Sequence, residues 1–170
     1  MTFIYPRSEP GSGSHLDLVE AVKALERETA EEVEGLSEEV LQFRPAEGEW
    51  SIKEVCGHLL DNDKVWHQRL QMAATQESPF LPSFDQEALV RERNYHQQDI
   101  RTILDALSEV RTRTTELLAH LVQWKWARPA YHWERGRMSI RQMVEFEMGH
   151  DREHLEQIQR LREQAAAEVS

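Results

Sequence analysis

Apolar residues recur every three to four positions along most of this chain, and that period is typical of amphipathic α-helices. In the first such stretch the apolar positions are Leu18, Val22, Leu25 and Val33. The period continues almost to the C-terminus and is interrupted at a few prolines and glycines. The pattern predicts four long helices and one short helical turn, over about residues 16–35, 37–43, 51–77, 86–121 and from 139 onward.

Two of the predicted helices begin with the same capping signal. Ser51 is followed three residues later by Glu54, and Ser139 is followed at the same spacing by Gln142. In such a capping box the serine side chain accepts a backbone hydrogen bond, while the Glu or Gln side chain reaches back to the serine N–H. These pairs therefore predict where the second and fourth long helices start.

The segments between the helices favour an all-α architecture. Two loops, 79–84 and 124–137, contain proline and cannot continue a helix. In the long third stretch Ile103, Val110 and Leu117 repeat every seven residues, as in a seam between packed helices. No segment shows a convincing strand pattern, and only local, short alternation is visible, so we predict an all-α four-helix bundle.

The fourth long helix carries a polar interruption in its apolar stripe. The residues that interrupt the stripe are Glu147, His150, Asp151 and His154. Burying such groups without partners costs on the order of 1–3 kcal/mol each, so something must satisfy them. The two histidines lie one turn apart on the same face, and a metal ion is one solution.

A third histidine lies about ninety residues upstream. His58 follows the Ser51 cap by seven residues and lies beside the apolar stripe of its helix, where it would hold a metal at the rim of the bundle. An isolated H-x-x-x-H pair on an amphipathic helix binds no metal in most proteins, and a boundary histidine is usually hydrogen-bonded instead. The spacing also leaves open whether the two helices are antiparallel or parallel and staggered.

Composition narrows the class of protein. The chain has 170 residues and a formal net charge of −11, which predicts one domain and disfavours binding to nucleic acid or an anionic membrane. Cys56 is the single cysteine, which fits a reducing compartment, and we expect a soluble cytoplasmic protein without a secretory signal. We expect a flexible N-terminal arm over 1–14, one helical domain over 15–165 and a C-terminal tail over 166–170.

Two segments resemble a known family, the DinB-like (DinB/YfiT) superfamily of metal-binding four-helix proteins. They are SEEVLQFRPAEGEWSIKEVCGHL at 37–59 and MSIRQMVEFEMGHDREHLEQI at 138–158. The first is similar to the family's entry to its second helix, where Trp-Ser-Ile precedes a ligand histidine. The second is similar to the family's last helix, which carries paired histidines. The likeness extends over nearly everything past residue 15.

The resemblance implies both a topology and a site. The fold would be an up-down-down-up four-helix bundle with a long crossover, and the chain would form a homodimer. The metal ligands would be His58, His150 and His154, and the metal Zn²⁺ or Ni²⁺, with water in the remaining positions. Taken alone, three imidazoles would also suit Fe²⁺ or Cu²⁺.

A three-ligand site with open positions is typical of catalytic metal centres. Glu147 is the candidate general base, because it lies three residues before His150 on the ligand face. The alternative for Glu147 is a carboxylate that is hydrogen-bonded to a neighbouring helix. Asp61 and Asn62 are candidates for orienting the ligands from outside the coordination shell.

Other reactive or aromatic side chains are given lesser roles. Cys56 lies in the core stripe, about 200° around the helix from His58, so we do not expect it to be a nucleophile. His96, on the seven-residue repeat of the third helix, and His132, in the following loop, could approach the site, but exposed or boundary positions are expected. The aromatic residues of segment 124–133 could wall a substrate pocket.

Two enzymatic functions follow from the resemblance, both with a small-molecule substrate. One is hydrolysis, with metal-activated water as the nucleophile. The other is transfer of a low-molecular-weight thiol whose thiolate binds the metal. From a different class, the chain could be a stress-associated helical bundle that binds metal or a ligand without catalysis, or a bundle with no metal.

Overall fold

The structure, a computed structural model, describes residues 14–169, so the predicted arm at 1–14 lies outside the described residues except for Ser14. Six α-helices and one hairpin occupy that range. The helices are α1 (His15–Val33), α2 (Glu38–Gln42), α3 (Ile52–Thr75), α4 (Gln86–Arg93), α5 (Ile100–Ala119) and α6 (Ile140–Val169). The strands are β1 (Pro129–His132) and β2 (Gly136–Ser139), and short 3₁₀ turns cover Tyr95–Gln97 and Gln123–Ala127. The segment predicted as a tail continues α6 through Val169.

Side-chain contacts fix the relative directions of the four long helices. The interacting pairs are Asp63–Arg111 and His67–Thr114 for α3 and α5, and His58–His150 and Asn62–Glu147 for α3 and α6. For α1 and α6 they are the ion pair Glu32–Arg162 and the charge interaction of Arg141 with His15. Residue numbers rise together in the first and third sets, so those helices are parallel. They run oppositely in the second set, so α3 and α6 are antiparallel. The predicted up-down-down-up bundle is confirmed.

The prediction of one long third helix over 86–121 is wrong. Helix α4 ends at Arg93, because Asn94 adopts a left-handed conformation with φ 52° and ψ 49° that a continuous helix cannot contain. Asp99 then caps a new helix, α5, by accepting from the backbone N–H of Thr102. The broken segment is part of the crossover, since the parallel neighbours α3 and α5 need a connection that returns along the bundle.

The all-α bundle also carries one short hairpin, which the sequence pattern did not reveal. Strands β1 and β2 form an antiparallel hairpin in which Pro129 pairs with Ser139 and His132 with Gly136. Gly136 has a φ of 71°, which a glycine adopts without strain at this turn. Each strand has four residues, too few for an alternation to stand out in the sequence. The hairpin leads directly into α6.

The bundle has two apolar cores with polar side chains between them. One core lies where α6 begins and includes Trp66 and Met143, and the other lies toward the opposite end and includes Leu59 and Ile158. The buried residues between the cores are mainly polar, and we call them the polar layer: Asn62, Asp63, Arg111, Thr114, Glu147 and Asp151. The predicted interruption of α6 thus extends across α3 and α5. No helix within residues 14–169 has the length and apolar character needed to cross a membrane.

The crossover is anchored to α3 by an aromatic ring. Tyr95 is 2% exposed and packs directly on Gly57, the residue before His58. A Cβ atom at position 57 would overlap the Tyr95 ring. Glycine at this position therefore lets the crossover approach the helix that carries His58.

Gly57→Ala should reduce the free energy of unfolding by about 1–3 kcal/mol, because the new methyl group would force Tyr95 out of its packed position. Urea unfolding followed by circular dichroism measures the change. Gly149→Ala is the matched control: Gly149 is also inside a helix, and nothing lies within 4 Å of a Cβ placed there. That control should stabilise by up to about 1 kcal/mol through helix propensity. Equal effects of the two substitutions would contradict this account.

Candidate metal centre

Three histidine side chains from two helices meet at the edge of the polar layer. The Nε2 atom of His150 lies 3.0 Å from that of His58 and 3.2 Å from that of His154. One nitrogen from each residue lies within 4.8 Å of the others. The antiparallel packing of α3 and α6 produces this convergence, which the sequence spacing had left open.

The donor set fits a divalent transition metal. Zinc–nitrogen bonds of about 2.0–2.1 Å place two ligand nitrogens roughly 2.8–3.4 Å apart at octahedral or tetrahedral angles. A hydrogen bond accounts for only part of the arrangement, since a neutral imidazole has one N–H and the Nε2 atom of His150 faces two other nitrogens. A cation satisfies all three converging lone pairs at once.

The outer nitrogens of the three rings have different surroundings. His154 Nδ1 lies 2.8 Å from Gln157 Oε1, an acceptor, so this ring carries its proton on Nδ1 and leaves the Nε2 lone pair free. His150 Nδ1 lies 3.3 Å from the amide nitrogen of Asn62, whereas His58 Nδ1 is buried without a hydrogen-bond partner. Sequence reasoning missed Gln157, although its position three residues after a candidate ligand on the same helix was a usable signal.

The cluster is more enclosed than predicted. His58 is only 1% exposed, because the ring of Trp50 covers it. The ring centroids of Trp50 and His58 are 5.0 Å apart, and those of Trp50 and His154 are 6.5 Å apart. Burial, followed by the charges of His154 and His150, lowers the pKa of His58 to about 2. Burial and the neighbouring His150 similarly lower the pKa of His154 to about 4. Both rings are therefore neutral at physiological pH, as metal ligands must be.

Glu147 lies beside the cluster and is almost fully buried. Its Oε1 atom lies 2.5 Å from the amide nitrogen of Asn62, and its Oε2 atom has no hydrogen-bond partner. Burial raises the pKa of Glu147 well above its ordinary value, and the charges of Asp151 and Asp63 raise it further. Both alternatives for Glu147 are compatible with this placement, since it contacts the neighbouring helix and also lies next to the histidines.

A buried arginine holds the rest of the polar layer together. Arg111 forms a bidentate ion pair with Asp63, at 2.6 and 2.7 Å, and a further contact of 2.7 Å with Asp151. Burial alone would raise the pKa of Asp151, but Arg111 more than offsets this and the pKa is lowered. A cavity of about 20 Å³ beside Arg111 and Glu147 is large enough for a single water. Sequence reasoning missed Arg111, although it directly follows Val110 of the heptad seam.

Several other predicted residues lie away from the histidines. Asp61 faces the crossover, where Arg93 is 3.4 Å away. His96 lies in the 3₁₀ turn of the crossover, not on a long helix, and its Nδ1 atom is 3.2 Å from Ser51 Oγ. His132 is buried in β1, where its Nε2 atom lies 3.4 Å from Arg69. Within the described residues these side chains contact other parts of the bundle.

Cys56 and the aromatic residues differ in their burial and in their contact with the histidines. Cys56 is fully buried, and burial raises the pKa of its thiol to about 12, in keeping with the prediction that it is no nucleophile. In segment 124–133 Trp126 is buried, while Trp124 and Trp133 are 64% and 63% exposed. The aromatic ring that contacts the histidines is that of Trp50.

The sequence identifies the protein superfamily to which this chain belongs. A family model for the DinB superfamily matches residues 21–158, and the chain belongs to that superfamily. A protein of Oceanobacillus iheyensis, named "Putative metal-dependent hydrolase OB0413", is 30% identical over 147 residues, which cover 84% of this chain and 83% of the relative.

Solved structures show the same fold. YfiT from Bacillus subtilis, described as "a probable metal-dependent hydrolase with an unusual four-helix bundle topology", superposes with a TM-score of 0.85 at 20% identity, covering 96% of this chain and 94% of YfiT. A mycothiol-dependent maleylpyruvate isomerase superposes with a TM-score of 0.68 at 8% identity, covering 84% of this chain and 60% of the isomerase. Because the identities are low, these matches show the fold alone.

Acid should destabilise the metal-free wild type more steeply than the His58→Gln variant. The folded-state pKa of His58, about 2, lies below the ordinary value of 6.5, so between these values the unfolded chain binds a proton that the folded chain does not. The stability contributed by neutral His58 is therefore complete above pH 6.5 and is lost as the pH falls. The wild type should lose about 1.4 kcal/mol more per pH unit than the variant.

Urea unfolding of both proteins at several pH values between roughly 6.5 and 4, in the presence of a chelator, measures this difference. Other groups of the polar layer titrate in the same range, but they are common to both proteins and cancel in the comparison. Parallel stability curves for the two proteins would show that His58 is not held in its neutral form.

Proposed function

We propose that this protein is a metal-dependent enzyme whose metal, Zn²⁺ or Ni²⁺, is held by His58, His150 and His154. The observation that carries the proposal is the convergence of three Nε2 atoms, two of them 3.0 and 3.2 Å from the third. A divalent cation held there supplies Lewis acidity, which lowers the pKa of water or of a thiol that meets it. Three protein ligands leave part of the coordination sphere to solvent or substrate.

The chain's own residues have distinct tasks in this proposal. Gln157 holds the His154 ring in the orientation that directs Nε2 inward, and Asn62 contacts the outer nitrogen, Nδ1, of the His150 ring. Glu147 is the group proposed to take up or give up the reacting proton, as a general base or its conjugate acid, because it is buried beside the histidines and its pKa is raised above the ordinary value of a carboxyl. Asp61 keeps at most an indirect role through α3, since its ion pair is with the crossover.

Two reactions, each on a small molecule, have support. Hydrolysis is supported by the name of the relative that is 30% identical to this chain. Transfer of a low-molecular-weight thiol is supported by the fold shared with an enzyme that depends on mycothiol. The cytoplasm and a homodimer stay predictions, the first supported by a single cysteine and the second by the family resemblance.

Wild-type protein purified without a histidine tag should bind one Zn²⁺ or Ni²⁺ per chain, and His58→Ala or His154→Ala should each weaken binding by more than about 100-fold. Loss of a ligand should exceed the roughly 10–100-fold effects of outer partners. Competition with a coloured chelator measures the affinity, and circular dichroism checks that the helices persist. His120→Ala is the control, because His120 is an exposed histidine on the cap of α5 and should not affect binding. Full metal content in a variant lacking all three histidines would refute the ligand assignment.

The two reactions can be separated with one panel of electrophiles, including activated esters. We expect metal-loaded protein to hydrolyse members of the panel without added thiol, and chelation or His58→Ala to abolish this turnover. Parallel reactions with bacillithiol, mycothiol or glutathione follow thiol consumption. Metal-dependent thiol consumption without hydrolysis would select the transferase, and metal binding without turnover of any substrate would favour the non-catalytic alternative.

A further inference from the structure

The contact between His150 and Asn62 raises a question about proton positions. An imidazole that binds a metal through Nε2 carries its proton on Nδ1, which must then face an acceptor. In this structure His150 Nδ1 faces the amide nitrogen of Asn62 at 3.3 Å, and an amide nitrogen is a donor. The two groups cannot both donate to each other.

The arrangement is consistent for a metal-free cluster. The Asn62 nitrogen donates to Glu147 Oε1 at 2.5 Å and meets the lone pair of His150 Nδ1. His150 then carries its proton on Nε2, where it donates to His58 Nε2 at 3.0 Å. All three short contacts have a donor and an acceptor, but Nε2 of His150 has no lone pair to offer a metal.

A half-turn of the Asn62 amide reverses these roles. The amide oxygen then lies where the nitrogen was, and it accepts a hydrogen bond from His150 Nδ1–H, which frees the Nε2 lone pair. After this turn the amide oxygen of Asn62 would lie about as close to Glu147 Oε1 as the amide nitrogen does now. Two acceptor oxygens at that separation repel each other unless one of them carries a hydrogen. Glu147 must therefore donate as a neutral carboxylic acid.

We propose that Asn62 is a positioning residue whose amide turns when the metal centre is loaded, so that its oxygen accepts from both His150 Nδ1–H and the Glu147 hydroxyl. The inference rests on the proposed metal centre. The surroundings favour a neutral Glu147, since it is 8% exposed and the carboxylates of Asp63 and Asp151 lie in the same buried layer. A neutral Glu147 would hold a proton beside the three histidines.

The Asn62→Asp variant separates the two amide orientations. An aspartate accepts from His150 Nδ1–H and from the Glu147 hydroxyl without turning, so Zn²⁺ affinity should stay within about 3-fold of the wild type or become tighter. Asn62→Leu, which has no acceptor, should weaken Zn²⁺ binding by roughly 10–100-fold. If the amide nitrogen instead faced His150 in the loaded protein, Asn62→Leu would lose no acceptor, and its Zn²⁺ affinity would stay close to that of the wild type.

The tautomer of His150 gives a second readout that a loss of packing would not produce. In ¹⁵N spectra of imidazole-labelled, metal-free protein at mildly alkaline pH, the wild type should carry the His150 proton on Nε2 and Asn62→Asp should carry it on Nδ1. The same tautomer in both proteins, or a Zn²⁺ affinity of Asn62→Asp as weak as that of Asn62→Leu, would overturn the inference. Failure of the wild type to bind Zn²⁺ would instead overturn the proposed metal centre, and this inference with it.

Discussion

The Arg111 guanidinium, buried among carboxylates at the centre of the bundle, is the interaction on which the rest of the structure depends. Placing charged groups between two apolar cores is costly unless each is paired and hydrogen-bonded. Arg111 meets this requirement by engaging both oxygens of Asp63 and one oxygen of Asp151, so that a residue of α5 ties α3 to α6. Removing any one partner would leave a buried charge uncompensated, and the three helices are therefore held at one register.

That register positions the histidines. Asp151 follows His150 directly, and Asp63 follows Asn62, so the ion-pair network and the candidate metal centre share the same turns of α3 and α6. The apolar residues on either side limit the access of water, which strengthens the electrostatic interactions within the layer. A net excess of carboxylates over Arg111 favours either a protonated Glu147 or a nearby cation. The polar layer thus places an excess of carboxyl groups beside the three histidines.

The enclosure of the site bears on its chemistry. Trp50 covers the rings of His58 and His154, and it lies in the segment that precedes α3. The aromatic residues that the sequence suggested as pocket walls lie instead in segment 124–133, before α6. Membership of the superfamily accounts for the fold, whereas the reaction depends on the particular side chains that a substrate meets at the site.

The sequence by itself determined the helical periodicity and the capping boxes at Ser51 and Ser139. It also determined the polar interruption of α6 and the histidines that interrupt or border the apolar stripes. All of these are local patterns with a fixed spacing along the chain. It could not determine the break at Asn94 or the hairpin at 129–139, where short stretches override a longer-range pattern. Tertiary structure alone decided that α3 and α6 are antiparallel, that Arg111 faces Asp63 and Asp151, and that Asn62 lies between His150 and Glu147. These are contacts between residues 40 or more positions apart, and only the packing of whole helices sets which side chains meet.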